Sequence, residues 1–316
     1  MNRNMRLRLA LGICALILFL QSGVFPLVAS ALSQKEVLSV LLFLQTGQLL
    51  HFREPAAVEP QTPAETQPPT PTLPADRPVF STEEVVQVQY FCNYRPDLDA
   101  LLTQPLDWSL RGDAPTVLIV HSHATESYAG TENYRSLDET QNMIAIGQEI
   151  ARVLEANGIR VLHDKTYHDH PDYDASYSNA RSTIQGYLEE YSSIQMVLDI
   201  HRDASDDPAG QLITSATVGG QRSAQLMMVV GTDAGGREHP DWQENLALAL
   251  KLSALLEQEN PGISRPVSLR SERFNMDMTA GSLLVEVGAA GDTLVQAKLA
   301  ANALAQAILQ LANGYQ

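Results

Sequence analysis

The sequence predicts a layered α/β domain with a largely parallel central sheet, occupying residues 116–316 of the chain. Two observations lead there. From about Thr116 onward, short aliphatic runs alternate with longer amphipathic stretches, the order that crossover-connected parallel strands require. Helix-stopping signals such as Asn157-Gly158 punctuate the alternation, so the elements separate cleanly.

Taken in order, Val117 to Val120 is an aliphatic run suited to a buried strand. Met143, Ile146, Ile150, Val153 and Leu154 recur at helical spacing and form one stripe. Ile159 to Leu162 reads as a strand, and Ala180, Ile184, Leu188 and Tyr191 as the inner face of a second helix. Strands follow over Ile194 to Ile200 and Gln225 to Val230, then a helix over Asn245 to Leu256. Leu283 to Val287 is a last strand, and Thr293 to Ala312 a long Ala/Leu-rich helix. There is no internal repeat.

The first 115 residues are of another kind. Arg3, Arg6 and Arg8 precede a mostly apolar run from Leu9 to about Leu32, broken by Gln21, Ser22 and Gly23. About 20 apolar residues span a bilayer, and flanking Lys/Arg marks the cytoplasmic side. Residues 1–32 therefore read as a signal anchor, giving a single-pass protein of the cell membrane with an extracytoplasmic catalytic domain. The rival reading is a cleaved signal peptide, with Leu9 to Leu20 as its apolar region and Ala29-Ser30-Ala31 as a cleavage site. Both export the rest of the chain. Residues 33–52 read as an amphipathic helix, with Val37, Val40, Leu41, Phe43 and Leu44 at helical spacing. Residues 53–80 are rich in Pro, Thr, Glu and Gln; such a stretch cannot bury enough apolar surface to fold and reads as a disordered tether. Residues 81–115 form a lead-in segment.

Composition removes several function classes. A formal net charge of −16 argues against a grip on nucleic-acid phosphates. Of the two cysteines, Cys14 sits inside the apolar run of the proposed anchor and Cys92 lies beyond the tether, so neither a disulfide framework nor a Cys-based zinc site is expected. G-x-S-x-G, P-loop and G-x-G-x-x-G signatures are missing from the sequence.

What remains is His and carboxylate chemistry at strand ends, where open α/β sheets gather functional groups. The run V-L-I-V-H-S-H-A-T-E-S-Y places His121, His123 and Glu126 just past Val120. M-V-L-D-I-H-R-D-A places His201, Arg202 and Asp203 past Ile200. S-L-L-V-E-V-G puts Glu286 inside an aliphatic strand, where an unpaired carboxylate costs several kcal/mol and needs a partner or a job. Catalytic zinc takes three protein ligands, typically His and carboxylate, and leaves one position for water. Two His and a carboxylate as ligands, with Glu286 as general base, complete that apparatus. The third ligand stays open. Glu126 stands in an H-x-x-E spacing with His123; Asp138 lies ahead of the helix bearing Asn142 and Met143, where a helix cap is the competing reading.

From about Thr116 onward the chain resembles the stage II sporulation protein P family. The residues that carry the likeness are H-S-H-A-T-E-S-Y at 121–128, H-D-K-T-Y-H-D-H-P at 163–171, D-I-H-R-D-A at 199–204, V-G-T-D-A-G-G at 230–236 and L-V-E-V-G at 284–288. The family is related to zinc-dependent N-acetylmuramoyl-L-alanine amidases, and the resemblance implies a three-layer sandwich of the zinc amidase/carboxypeptidase kind. Aligned with their motifs, V-H-S-H selects His123 over His121, D-E-T-Q-N-M points to Asp138, D-I-H matches His201, and V-E-V-G matches Glu286. An Asp where those amidases have Glu keeps Glu126 in play as an alternative third ligand. The resemblance further implies Zn2+ as cofactor and an amidase acting on peptidoglycan, with some endopeptidase action on cross-links. It places that activity in forespore engulfment, alongside stage II sporulation proteins D and M.

Arg202 and Asn275 are candidates for substrate binding, with Arg273 beside them; Arg202 could equally pair with Asp203 or Asp206. His163, His168 and His170 read as surface or groove residues. Two other functions stay in view: a catalytically silent wall-binding scaffold, and a zinc carboxypeptidase trimming stem peptides, which Glu126 as third ligand would favour.

Overall fold

Residues 86–205 and 210–314 are described by the structure, a computed structural model. The expected anchor, amphipathic helix and tether of residues 1–80 lie outside the described residues. Among the described residues no helix is long and apolar enough to cross a membrane.

A seven-stranded sheet organises the fold. Its strands are β1 (Val88–Tyr90), β2 (Val117–Val120), β3 (Val161–His163), β4 (Met196–Asp203), β7 (Leu226–Val230), β8 (Val267–Leu269) and β9 (Ser282–Ala289), in the spatial order β1-β8-β7-β9-β4-β2-β3. Every neighbouring pair is parallel except β7 and β9. The small hairpin of β5 (Ala216–Val218) and β6 (Gln221–Ser223) stands apart. Among the described residues the α-helices are α1 (Leu98–Thr103), α2 (Met143–Ala156), α3 (Ser176–Glu190), α4 (Trp242–Glu259) and α5 (Leu294–Ala312).

The two-residue period of a strand sorts side chains onto opposite faces, and β2 shows it. Val117 and Ile119 join a core with Met143, Ile146 and Ile150 of α2 and with residues of α4 and α5. Leu118 and Val120 join a smaller core with Ile184 of α3 and Val197 of β4. Helices on both faces make the three layers expected. Because β2 is covered on both sides, all four of its side chains must be apolar, as they are.

Local chemistry fixes the helix ends. Asn142 caps α2 by accepting from Ile144 N, and Thr293 with Gln296 forms a reciprocal capping box at α5. Residues 86–115 contribute two elements, β1 and α1. β1 pairs with β8 at the sheet edge, and α1 packs on α4 with Leu101 and Leu102 buried. From Val86 onward this segment belongs to the same fold.

Candidate metal centre

Three side chains named from the sequence meet at one point. A ligand atom from each of His123, Glu126 and His201 lies within 4.8 Å of the others. The three residues are 8%, 6% and 3% exposed, so the donors are sheltered from water.

Local geometry explains the meeting. Beyond Val120 the chain makes a tight turn, with Glu126 N donating to His123 O at 3.1 Å. The turn brings Glu126 Oε1 to 3.5 Å from His123 Nδ1. β4 supplies the third donor: His201 follows Asp199 by two residues, so both project from one face. Glu126 Oε2 then lies 3.5 Å from His201 Nδ1. Across the strand boundary, Glu286 of β9 is in register with His201, and parallel pairing directs both to the same face. One carboxylate oxygen of Glu286, Oε2, is buried without a hydrogen-bond partner.

Further residues hold the donors in place. Asp199 accepts from Ser122 N and Oγ at 2.8 and 2.5 Å. It also sits 2.9 Å from His201 Nε2, close enough for electrostatic attraction but off the hydrogen-bonding direction. His123 Nε2 contacts Ser176 Oγ at 3.0 Å. Tyr173 stacks on His123 with ring centres 4.6 Å apart, and Tyr177 lies parallel to His201 at 6.3 Å.

Burial and charge set the protonation of the cluster. Burial works against ionising Glu126, yet His123, His201 and Arg202 outweigh it and hold its carboxyl below the usual range. Burial alone would push Asp199 up; His201 and Ser122 bring it down to about 2. His201 is opposed by burial but raised well above its ordinary value by Asp199, Tyr177 and Glu126. Two buried carboxylates thus demand positive charge between them, which is what a cation would supply. Glu286 behaves in the opposite way: burial first, then Glu126 and Asp203, push it up to about 8 against the pull of His201 and Arg202. Two imidazoles and a carboxylate are a donor set suited to Zn2+, so the residues fit the metal.

The other candidates are placed elsewhere. Asp138 is exposed and occupied by its own turn, accepting from Thr140 N and Oγ1 and from Gln141 Nε2 at 2.9, 2.7 and 2.9 Å. It does not join the cluster, and Asn142 rather than Asp138 caps α2. Arg202, the candidate substrate grip, is buried. Its guanidinium donates to Ser127 O and Tyr134 O at 3.0 and 3.1 Å and lies 3.6 Å from Glu126 Oε1. It therefore clamps the loop that presents Glu126. Asp203 pairs instead with Arg265 at 2.6 Å. Asn275 does face a cavity, alongside Arg273, Phe274 and Tyr177, and its Nδ2 donates to Tyr177 O at 2.7 Å.

Of the other histidines, His168 and His163 are more sheltered than a surface reading expects. His168 is buried and bridges His121 O and Thr183 Oγ1, both at 2.9 Å. His163 is half-buried and meets His121 Nε2 to Nε2 at 2.9 Å. Burial drives His121 down to about 3 and His163 to about 4, so neither carries charge at neutral pH. Gly147 makes room for the pair, since a Cβ there would lie 2.5 Å from His163 Nε2. Among the described histidines only His170 is exposed, as a surface reading expects.

Sequence reasoning missed Asp199, Ser176, Tyr173 and Tyr177. For Asp199 a signal was present: a carboxylate inside an aliphatic strand, two residues before His201.

The profile of the family described as stage II sporulation protein P matches residues 54–309. The chain belongs to that family. A curated relative, stage II sporulation protein P of Bacillus subtilis (strain 168), is 27% identical over 265 residues, covering 79% of this chain and 62% of the relative. The chain thus spans less than two thirds of that relative's length. Among solved structures, the N-acetylmuramoyl-L-alanine amidase AmiC2 of Nostoc punctiforme is 15% identical, with a TM-score of 0.38 over 65% of this chain and 98% of its own. Ami1 of Mycobacterium smegmatis is 12% identical, with a TM-score of 0.40 over 65% and 99%. An N-acetylmuramoyl-L-alanine amidase of Clostridium difficile 630 is 16% identical, with a TM-score of 0.38 over 63% and 97%.

Proposed function

We propose that this protein is a zinc-dependent peptidoglycan hydrolase, an N-acetylmuramoyl-L-alanine amidase with some endopeptidase action. Its setting is forespore engulfment, outside the cytoplasmic membrane, with stage II sporulation proteins D and M as partners. The carrying observation is the union of His123, Glu126 and His201 with a partnerless Glu286 carboxylate on the same sheet face. Membership of a sporulation family supports the setting.

His123, Glu126 and His201 would hold the metal. Zinc at such a site acidifies water and polarises the amide carbonyl. Glu286 does the proton work. In the metal-free chain its carboxyl is pushed up to about 8, and a nearby divalent cation would draw it down towards the range of a working base. Its free Oε2 takes a proton from the attacking water as the C–O bond forms, then delivers it to the departing amine nitrogen as C–N breaks. Arg202 keeps Glu126 presented, and Asp199 steadies His201. His123 and Glu126 come from one turn and His201 from a strand, so the donor set does not depend on a long loop closing.

A carboxypeptidase acting on stem peptides is the second reading, because Glu126 and not Asp138 joins the two histidines. Products separate the readings. Full-length protein, its zinc content measured, is incubated with purified cell wall. An amidase releases whole stem peptides from the glycan; a carboxypeptidase releases single terminal amino acids. No soluble product at full zinc loading would leave a silent scaffold.

A further inference from the structure

We infer that the cavity beside Tyr177 is a subsite for a zwitterionic peptide segment, with Arg237 taking its carboxylate and Glu272 its ammonium. This rests on the hydrolase reading only for the name of the substrate. The cavity holds about 500 Å3 and is lined by Tyr177, Gly235, Arg237, Ser271, Glu272, Arg273, Phe274 and Asn275. It adjoins the metal cluster through Tyr177, whose ring is parallel to His201 and meets His123 edge-on at 5.3 Å.

Its charges are unevenly committed. Arg273 is engaged by Asp277 at 2.9 Å and by Glu238 O at 3.4 Å, and Asp277 in turn takes both Arg181 nitrogens at 2.8 Å. That network is structural. Arg237 and Glu272 are exposed, and no ion pair or hydrogen bond of either side chain occurs among the described residues. One free cation and one free anion on the wall of one cavity match a ligand carrying both charges. An Arg fork suits a carboxylate in particular, by two parallel charge-assisted hydrogen bonds.

The wall is also held in costly backbone. Phe274 and Asn275 both adopt positive φ, 48° and 60°, a left-handed conformation that is strained for a bulky residue such as Phe274 and concentrates at ligand-binding positions. Phe274 leans on Tyr177 with ring centres 5.9 Å apart, and Asn275 bonds the Tyr177 backbone. Opposite, Gly235 lies so close to the 271–275 loop that a Cβ would sit 2.6 Å from Ser271 O. The strained loop therefore shapes the cavity and anchors the aromatic ring shared with the metal cluster. A peptide seated there has its far end held by charge and its near end beside the histidines. The leaving amine would lie on this side.

Binding to the full-length protein tests the assignment without requiring turnover. Three uncleavable tripeptides serve as probes: one ending in meso-diaminopimelate, one in which its side-chain carboxylate is replaced by hydrogen (a lysine), and one with its side-chain amine acetylated. Wild type should bind the first about tenfold tighter than either other. Arg237→Ala should bind the first two alike, and Glu272→Gln the first and third alike. Equal binding of all three probes by wild type, or unchanged discrimination in both variants, overturns the subsite. If the probes are discriminated as stated while wild-type protein cleaves no wall, the hydrolase reading fails and the subsite stands.

Discussion

Glu286 stands directly opposite His201 in the parallel register of β9 and β4, so one pleat gives a candidate ligand and a candidate base the same outlook. A strand pair is stiffer than a loop, and the relative placement of the two groups is fixed by backbone hydrogen bonds. Glu286→Gln should therefore fold, bind zinc normally and lose about 10²–10⁴-fold in turnover, the usual contribution of a positioned acid–base group. Stem-peptide release per bound zinc is the measurement. Near-wild-type turnover would remove Glu286 from the chemistry.

The same carboxyl predicts a pH dependence of stability. In the metal-free chain Glu286 is raised to about 8 by burial. Its protonated form is favoured by the fold, so its contribution is complete below the ordinary carboxylate range and is lost as pH rises through about 8. His201, also raised, acts in the same direction. The lowered His121 and His163 are neutral in both states above pH 7. Chelated wild-type protein should lose thermal stability between pH 7 and 9, and Glu286→Gln should flatten part of that loss. Parallel melting curves for the two proteins would contradict the assignment.

Ligand substitutions should separate the two carboxylates left open by the sequence. His123→Ala, His201→Ala and Glu126→Gln should each abolish stoichiometric zinc binding, whereas Asp138→Ala should keep it. Glu126→Gln is preferable to Ala because Arg202 N and its guanidinium still need an acceptor there. Zinc content by mass spectrometry decides; loss of metal in Asp138→Ala alone would reverse the assignment.

Much of this site was legible because its signals are local. H-x-x-E is one turn, and D-I-H is one strand period, so the relevant side chains meet whatever the rest of the fold does. Where Asp138 sits was not legible, because a motif alignment ignores where hydrogen bonds go: its carboxylate accepts from Thr140 and Gln141. His163 and His168 follow a short strand and read as exposed, but α2 and α3 cover them, and burial of that kind depends on distant residues. β1 and β8 were missed for a related reason. V-Q-Y and V-S-L are three residues each, too short to show a period, and they become strands only by pairing.

Asp199 should matter to the metal without touching it. It lies 2.9 Å from His201 Nε2 while Nδ1 of the same ring faces Glu126, so it orients the imidazole and raises its basicity. Such partners typically contribute about 10–100-fold in metal affinity. Asp199→Asn retains an acceptor for Ser122 and should fold, yet bind zinc weaker by that factor in competition with a chelator. Unchanged affinity would make Asp199 merely a brace for the Ser122 turn.

The last prediction concerns where the folded unit begins. β1 covers the β8 edge, and α1 lays Leu101 and Leu102 against α4, with Leu106 and Leu110 also buried. Each such side chain is worth about 1.5–3 kcal/mol on burial, and four of them approach the whole net stability of a typical domain, about 5–15 kcal/mol. A chain shortened to residues 81–316 keeps all of these contacts and should unfold cooperatively, with zinc bound as in the full-length protein. A chain shortened to residues 116–316 loses β1, α1 and all four leucines. It should expose the apolar face of α4 and the edge of β8, and so aggregate or melt far lower. Denaturant unfolding of the two truncations, followed by circular dichroism, makes the comparison. Equal midpoints would show that residues 81–115 add nothing to the stability of the fold.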